Sequence, residues 1–446
     1  MNKHWSLEVS EFGKINYAKI RIHNFICFVG DNNSGKSYIM SLLWGILTSG
    51  RDVFLNADLS SPCYKRCEEW LLSHMNKEIS FSDEIACFYV DWFNELLDNN
   101  KDVIVQRIFY RNIPIKYLKI SDYCLHETAK LSWTDSGNKV FASNDGFKVP
   151  VMDAKDITSA EIYDINACIC WNLLMQGLAA PWLAPAVNGR RNGEPVYFPA
   201  SRTGLMLSYP LLAEKARQKT FADYDGEPEA LLTQPHTDFL KLILQFDNAE
   251  QLNSSDAEIV NFIQNELLNG DIVLRNDDIP VLRYKPKDSA FELPLVASSS
   301  LIAEISPLLL LLKSKVPFKT IIIEEPEAHL HLAMQQKIAR LLINMANAGY
   351  NVWITTYSDT IMQHINNMCS LSMRKNKDQL MAKHFYAGKD LLTSEQIAVY
   401  QFTMADNAVT VEELENYNGC GFAVSSVNDA IAKISAEVYE FQGAEE

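Results

Sequence analysis

Two hydrophobic spacings alternate along the chain, and their order outlines an α/β protein. LEVSEF and KIRIHNFICFVG carry alternating or continuous apolar residues, as strands do, and the second run ends at Gly30. Ile39, Leu42, Leu43 and Ile46 then recur at i, i+3, i+4 and i+7, the stripe of a helix lying on a sheet, with Gly50 placed to end it. Residues 1–50 are thus expected to form strand, loop and helix. From 51 to 194 the pattern is mixed. It is helical around Cys67–Met75 and Asp91–Leu97, hairpin-like over LSWTDSGNKVFASNDGFKVPV and apolar from Ile162 to Met175, and it reads as an inserted α/β segment. PVYFPASRTG predicts a short strand within 195–210, and the polar stretch over 211–270 predicts a helical arm or lid. Over 271–372, DIVLR and PVLRYKP predict strands, and LPLVASSSLIAEISPLLLLLKS predicts a turn feeding an apolar helix. KTIIIEEPEAHLH then predicts a buried strand ending in carboxylates, followed by a helix with Ile338, Leu341, Leu342 and Met345 on one face. NVWITTYSDT predicts one more strand, and 373–446 reads as a small mixed tail ending in an amphipathic helix.

Composition narrows the class. A chain of 446 residues with 48% hydrophobic residues can bury a substantial core. The apolar runs Ser306–Leu312 and Thr320–Ile323 stop short of the roughly 20 residues of a membrane span. The polar N-terminus has no apolar h-region, so no membrane association and a cytoplasmic location are expected. The nine scattered cysteines suit reduced core thiols, because Cys63/Cys67 and Cys168/Cys170 lack a second pair at zinc-finger spacing. A net charge of −16 opposes a uniformly basic nucleic-acid surface and leaves only a local basic groove open.

Gly30, Asp31, Asn32, Asn33, Ser34, Gly35, Lys36 and Ser37 match G-x-x-x-x-G-K-[ST] after a buried strand and at the start of a helix. In that setting the glycines let backbone N–H groups wrap around phosphates. Lys36 is expected to reach the β and γ oxygens of ATP, Ser37 to ligate Mg²⁺, and Tyr38 to lie beside the nucleotide. Glu324 and Glu325 end the strand IIIEEPE. Glu324 is expected to hold Mg²⁺ through water, and Glu325 to polarise the attacking water as general base. Lys36 and Glu325 lie 289 positions apart, far more than a compact P-loop domain needs, so large segments are inserted between them. That layout is similar to the SMC, Rad50 and ABC branch. The expected fold class is α/β: a P-loop NTPase of ABC/SMC-head type with helix-rich insertions between Walker A and Walker B.

FVGDNNSGKS, YFPASRTG, ASSSLIAEISPLLLL and IIIEEPEAHLH resemble, in order, the blocks of the OLD-type ATPases of the ABC/Rad50-like group, AAA family ATPases of bacterial anti-phage systems such as Septu and PARIS. The resemblance covers about 1–50, 195–210 and 290–370. It implies a face-to-face head dimer in which Ser298, Ser299 and Ser300 form a signature loop reaching the ATP of the other subunit. Taken alone, serines before a helix also serve as an N-cap. The family usually has glycine where Ser300 stands. Tyr357 occupies the switch position where a histidine commonly sits, and tyrosine can donate a hydrogen bond but not become cationic, so slow hydrolysis is expected. Arg202 is placed near the nucleotide site by resemblance and reads equally as a structural salt bridge. His329 and His331, spaced i, i+2, are expected to shape a dimer-facing loop rather than bind metal.

Many relatives add a TOPRIM nuclease after this head, yet no Asp-x-Asp follows Thr360. The reading is therefore an ATP- and Mg²⁺-dependent ATPase, dimeric or of higher order. It would act as sensor and scaffold for a separate effector, a nuclease or toxin, with nucleic acid possible as a ligand. A RecF- or SMC-like ATPase of DNA maintenance is the alternative, and it would call for a long heptad arm, which the inserts lack. A transporter-type ABC subunit fits the serine loop and the long inserts less well.

Overall fold

The computed structural model describes residues 5–125, 129–134, 141–143, 146–151, 157–187, 190–219, 232–246, 254–275, 281–417, 419 and 421–442. In chain order β1 (Ser6–Phe12), β2 (Ile15–Arg21) and β3 (Phe25–Gly30) lead into α1 (Lys36–Ser49). Then come α2 (Pro62–Ser73), β4 (Ile79–Ser80), α3 (Asp83–Phe109), β5 (Tyr117–Ser121), β6 (Lys130–Thr134), β7 (Phe141–Ser143) and β8 (Gly146–Pro150). α4 (Ser159–Met175), β9 (Ala186–Val187), β10 (Arg190–Arg191), β11 (Val196–Phe198), α5 (Arg202–Lys219), α6 (Gln234–Ile243) and α7 (Ser254–Phe262) follow. Next are β12 (Gly270–Arg275), β13 (Val281–Pro286), β14 (Leu293–Pro294), α8 (Ser300–Lys313), β15 (Thr320–Glu324), α9 (Leu332–Asn347) and β16 (Asn351–Thr355). α10 (Asp359–Met373), α11 (Lys377–His384), β17 (Ile397–Ala405), β18 (Ala408–Glu413) and α12 (Ser425–Gln442) complete the chain order.

Two compact units share the chain. The first comprises 1–23, 38–196 and 317–320. In it β1 pairs antiparallel with β2 on one side and β5 on the other. The helices α2, α3 and α4 bury an aromatic core in which Phe54, Tyr64 and Tyr163 meet Trp92 edge-on or tilted. Helix starts are locally encoded. Ser61 accepts from the N–H groups of Cys63 and Tyr64 ahead of Pro62, and Thr158 with Glu161 forms a reciprocal capping box on α4. A Cβ at Gly45 of α1 would overlap Ile108 of α3, so the absent side chain sets how closely those helices approach.

The span from 51 to 194 is therefore not a separate insert: β5 inside it extends the sheet begun by the first strands. The hairpin-like stretch is also more complex than its alternation suggests. β7 and β8 pair antiparallel, but β6 and β8 pair parallel. Residues 135–140 and 144–145 of that stretch, and 220–231 and 247–253 of the expected arm, lie outside the described residues.

The second unit comprises 24–37, 197–316 and 321–446. Its main sheet runs β11-β15-β16-β3-β17-β18. β3 is paired in parallel by β16 on one side and β17 on the other. This corrects the reading of 373–446 as a tail, because β17 lies directly beside the P-loop strand. The cause is visible in IAVYQFTMA, whose burial is continuous from Ile397 to Phe402, the mark of a strand covered on both faces. Phe28 packs on Phe402 with ring centroids 4.9 Å apart and edge-on to Tyr400 at 5.8 Å. A three-stranded antiparallel sheet, β12-β13-β14, leads into α8, and Lys313 at the end of α8 pairs with Asp271 at 3.0 Å. The strand expected over PVYFPASRTG ends at Phe198, and helix α5 begins at Arg202. No helix among the described residues is long and apolar enough to cross a membrane.

Candidate nucleotide site

Of the sequence-predicted residues of the second unit, Gly30 to Ser37 lie at the end of β3 and Glu324 and Glu325 at the end of β15, while Ser298 to Ser300 lie before α8. Gly30 closes β3 with a φ of 120°, and a Cβ there would overlap the carbonyl oxygen of Phe402 in β17. Only glycine fits. The next residue is tied to the same strand, since the Asp31 N–H donates to Phe402 O at 3.1 Å and Asp31 Oδ2 accepts from the Met404 N–H at 2.9 Å. Asn32 and Asn33 are exposed at the crest, with Asn33 at a φ of 59°, a left-handed conformation that asparagine tolerates. Ser34 Oγ donates to Asp31 O at 2.7 Å, and Gly35 turns the chain into α1 with a φ of 85°. This wrapped loop opens on a helix N-terminus, an arrangement that concentrates N–H donors and positive potential.

Lys36 is only 3% exposed, and its ammonium donates to Gly30 O at 3.0 Å, Asp31 O at 2.6 Å and Ser34 Oγ at 3.3 Å. The ring of Tyr357 covers it, with Nζ 4.0 Å from the ring centroid. Burial pulls the lysine down to about 8, against the pull of Asp31, Glu325 and Glu327. Among the described residues no carboxylate lies in ion-pair contact with it. A buried cation bonded only to neutral groups suits an anion at the mouth of the loop. Ser37 is exposed in the first turn of α1. Tyr38 is half-exposed and packs on Phe109 at 5.2 Å and Phe12 at 6.1 Å, so its ring is engaged within the first unit.

The acidic half is pinned from behind. Glu324 is 5% exposed, and Oε1 accepts from Tyr197 OH at 2.8 Å while Oε2 accepts from the Ala200 N–H at 3.0 Å. Both oxygens are thus oriented by the protein. Glu325 has a φ of 43°, an uncommon left-handed conformation for glutamate. Both of its backbone groups are fixed: the N–H donates to Thr355 O at 2.8 Å, and its carbonyl accepts from Arg202 Nη2 at 3.0 Å. Burial, reinforced by Glu324, pushes the Glu325 carboxyl up, against the pull of Arg202 and Lys36. Tyr357 is also pushed up, chiefly by burial and then by Glu325, so it stays a neutral phenol.

Arg202 settles as a buried scaffold residue. It donates to the carbonyls of Pro199, Glu324 and Glu325 and forms an ion pair with Glu304 of α8, both side chains nearly inaccessible. Thr203 donates to the same Glu304. Neither Glu304 nor Tyr197 was singled out in the sequence, although a lone acid in SLIAEISPLLLLL had to find a buried cation or break the helix packing.

Ser298 donates its hydroxyl to Leu295 O at 2.6 Å. Ser299 is the N-cap of α8 but makes no side-chain cap bond, and Ser300 opens the helix, both exposed. Within one chain the serine loop therefore does not join Lys36 and Glu325 by any hydrogen bond among the described residues. His331 caps α9 without a side-chain bond, and His329 has a φ of 60°. The described cysteines are free, with burial pushing Cys67, Cys168 and Cys170 up as inert thiols.

A glycine-wrapped loop between β3 and α1, with β16 standing between β3 and the acidic strand β15, is the arrangement of an α/β P-loop NTPase fold. Residues 5–163 match the family model of the AAA ATPase domain. Among solved structures, the chain is similar to an Smc head bound to the C-terminal winged-helix domain of ScpA, at 14% identity over 92% of this chain and 97% of that one, TM-score 0.38. It is also similar to the SMC head domain from Thermotoga maritima (11% identity, 93% and 99% covered, TM-score 0.33). A third is the Smc head domain with extended coiled coil bound to the C-terminal domain of ScpA from Pyrococcus furiosus (13% identity, 97% and 98% covered, TM-score 0.32). None reaches a TM-score from which a shared fold would follow, and the assignment rests on the geometry of the second unit. No curated protein sequence matches the chain.

Proposed function

We propose that this protein binds and hydrolyses ATP with Mg²⁺ as a head that works in pairs, and that it controls a separate effector in anti-phage defence. The observation that carries the ATP reading is Lys36, a buried ammonium in a glycine-wrapped loop whose bonded partners are all neutral. Lys36 and the loop N–H groups hold the phosphates, and Ser37 with Glu324 holds Mg²⁺, which when bound withdraws charge from the phosphoryl oxygens. Glu325 takes the proton of the attacking water, with its backbone fixed by Thr355 and Arg202. The pairing is supported by the exposure of Ser299 and Ser300 at the start of α8, where a second copy's nucleotide would meet a helix N-terminus. The defence role rests on the resemblance of the four sequence blocks.

Purified protein is expected to release phosphate from ATP only with Mg²⁺, and Lys36→Ala or Glu325→Gln to abolish turnover. Equal phosphate release by the wild type and Glu325→Gln would remove Glu325 as the base. For the biological role, the chain expressed with its neighbouring open reading frames should restrict phage plating, and Lys36→Ala should not. Protection without a neighbouring effector would overturn the scaffold role.

A further inference from the structure

The acidic motif carries a carboxylate to which no role has been given, Glu327. Its Oε1 accepts the backbone N–H of Tyr357 at 2.7 Å, and its Oε2 is buried without a hydrogen-bond partner among the described residues. Burial pushes this carboxyl up, while its bonds at Tyr357 and Thr356 pull the other way. The turn it grips is held on the far side too. Ser358 Oγ accepts from the Ile361 N–H at 3.1 Å and donates to Gln335 Oε1 at 2.7 Å, and Gln335 Nε2 donates to Leu330 O at 2.9 Å. Between those two anchors Tyr357 is fixed by its backbone alone, its ring 42% exposed and lying on the Lys36 ammonium. An aromatic face and a phosphate oxygen compete for one cation, since both draw on the same positive charge.

We propose that Glu327 and Tyr357 form a latch on the P-loop lysine. Glu327 is the positioning residue that sets the turn, Tyr357 is the ring that occupies the ammonium, and an incoming nucleoside polyphosphate must displace that ring to engage Lys36. This rests on the ATP reading above. The latch couples occupancy of the phosphate site to the turn between β16 and α10, and through Gln335 to α9. The hydroxyl of Tyr357 has no part in it, so the substitution of tyrosine at the switch position acts through its ring.

The test is the equilibrium affinity of the full chain for ATP and ADP, by calorimetric titration with Mg²⁺ at pH 7. Tyr357→Ala is expected to bind ATP about five- to tenfold more tightly, the scale of a part-exposed cation–π contact. Tyr357→Phe should return to the wild-type dissociation constant. Glu327→Ala should shift affinity in the same direction as Tyr357→Ala, and the double variant should be no tighter than Tyr357→Ala alone, because both remove one device. Unchanged or weaker binding in Tyr357→Ala, or additive effects in the double variant, would overturn the latch while leaving Lys36-dependent binding intact. Wild type and Lys36→Ala binding equally would overturn the ATP reading and the latch together. Because Tyr357 is part-exposed and bonded through its backbone, Tyr357→Ala tests the latch without disturbing the core.

Discussion

The exit of β15 and the start of α8 belong to one site as read from the sequence, yet they are built in opposite ways. At β15 almost every polar group is fixed. Glu324 is held through both oxygens, Glu325 through both backbone groups, and Arg202 bonds three carbonyls and Glu304. At the start of α8, Ser299 and Ser300 are exposed and Ser299 leaves its helix uncapped. The difference teaches where each region's requirement lies. On the proposed function, a carboxylate that polarises one water needs a pre-set position, and the supports at β15 are local and buried. On the same proposal, Ser299 and Ser300 are left for a second molecule, and Ser299 makes no side-chain bond to its own helix cap. The two regions still share α8, because Glu304 lies one turn beyond Ser300 and ties the same helix to Arg202.

Substitutions can break that contrast, and stability ranks them. Arg202→Ala strands the buried Glu304 and should cost about 3–5 kcal/mol in urea denaturation, whereas replacing both partners with methionine should recover most of the loss. A single-variant loss below about 1 kcal/mol would mean the exit is not anchored from behind. Gly30→Ala forces a side chain toward Phe402 O at a left-handed position and should cost about 1–3 kcal/mol with loss of nucleotide binding. Wild-type affinity in that variant would show that β17 does not shape the loop. pH probes the lysine. With its ordinary value of 10.5 pulled to about 8, Lys36 loses its proton as pH rises through 8, and nucleotide affinity should then fall by up to about tenfold per pH unit. For folding the sign is opposite: between about 8 and 10.5 the unfolded chain holds this proton more tightly, so Lys36 alone makes stability rise with pH. A flat affinity profile from pH 7 to 9 would contradict a desolvated ammonium at the phosphate site. Smallest in stability, Ser299→Ala and Ser300→Ala should move the denaturation midpoint by less than about 0.5 kcal/mol while lowering turnover severalfold. If turnover per subunit is unaffected and independent of protein concentration, the serine loop serves no second copy.

Short-range signals were legible. Gly30 to Ser37, the helix behind them and the buried strand before Glu324 follow from spacing and turn chemistry, because each is decided within a dozen residues. The partners that aim these groups were not. Tyr197 meets Glu324 across 127 positions, and Asp31 meets the Met404 N–H across 373. No local pattern names such pairs. The reading of 373–446 as a tail failed for the same reason: IAVYQFTMA signals a buried strand but not which neighbour it will choose. Glu304 was the nearest miss, a charge inside an apolar helix that required a cation somewhere.

The pairing of β3 with β17 also sets a timetable. The strand that ends in the phosphate loop leaves the ribosome with the first thirty residues or so, but the strand that fixes Gly30 and Asp31 comes only with Phe402 and Met404. Until then one edge of β3 is unpaired during synthesis, and a long closure must precede the contact that completes it. Nascent chains stalled before β17 should therefore lack the finished loop, which makes translation of the last strands the step that confers competence for nucleotide.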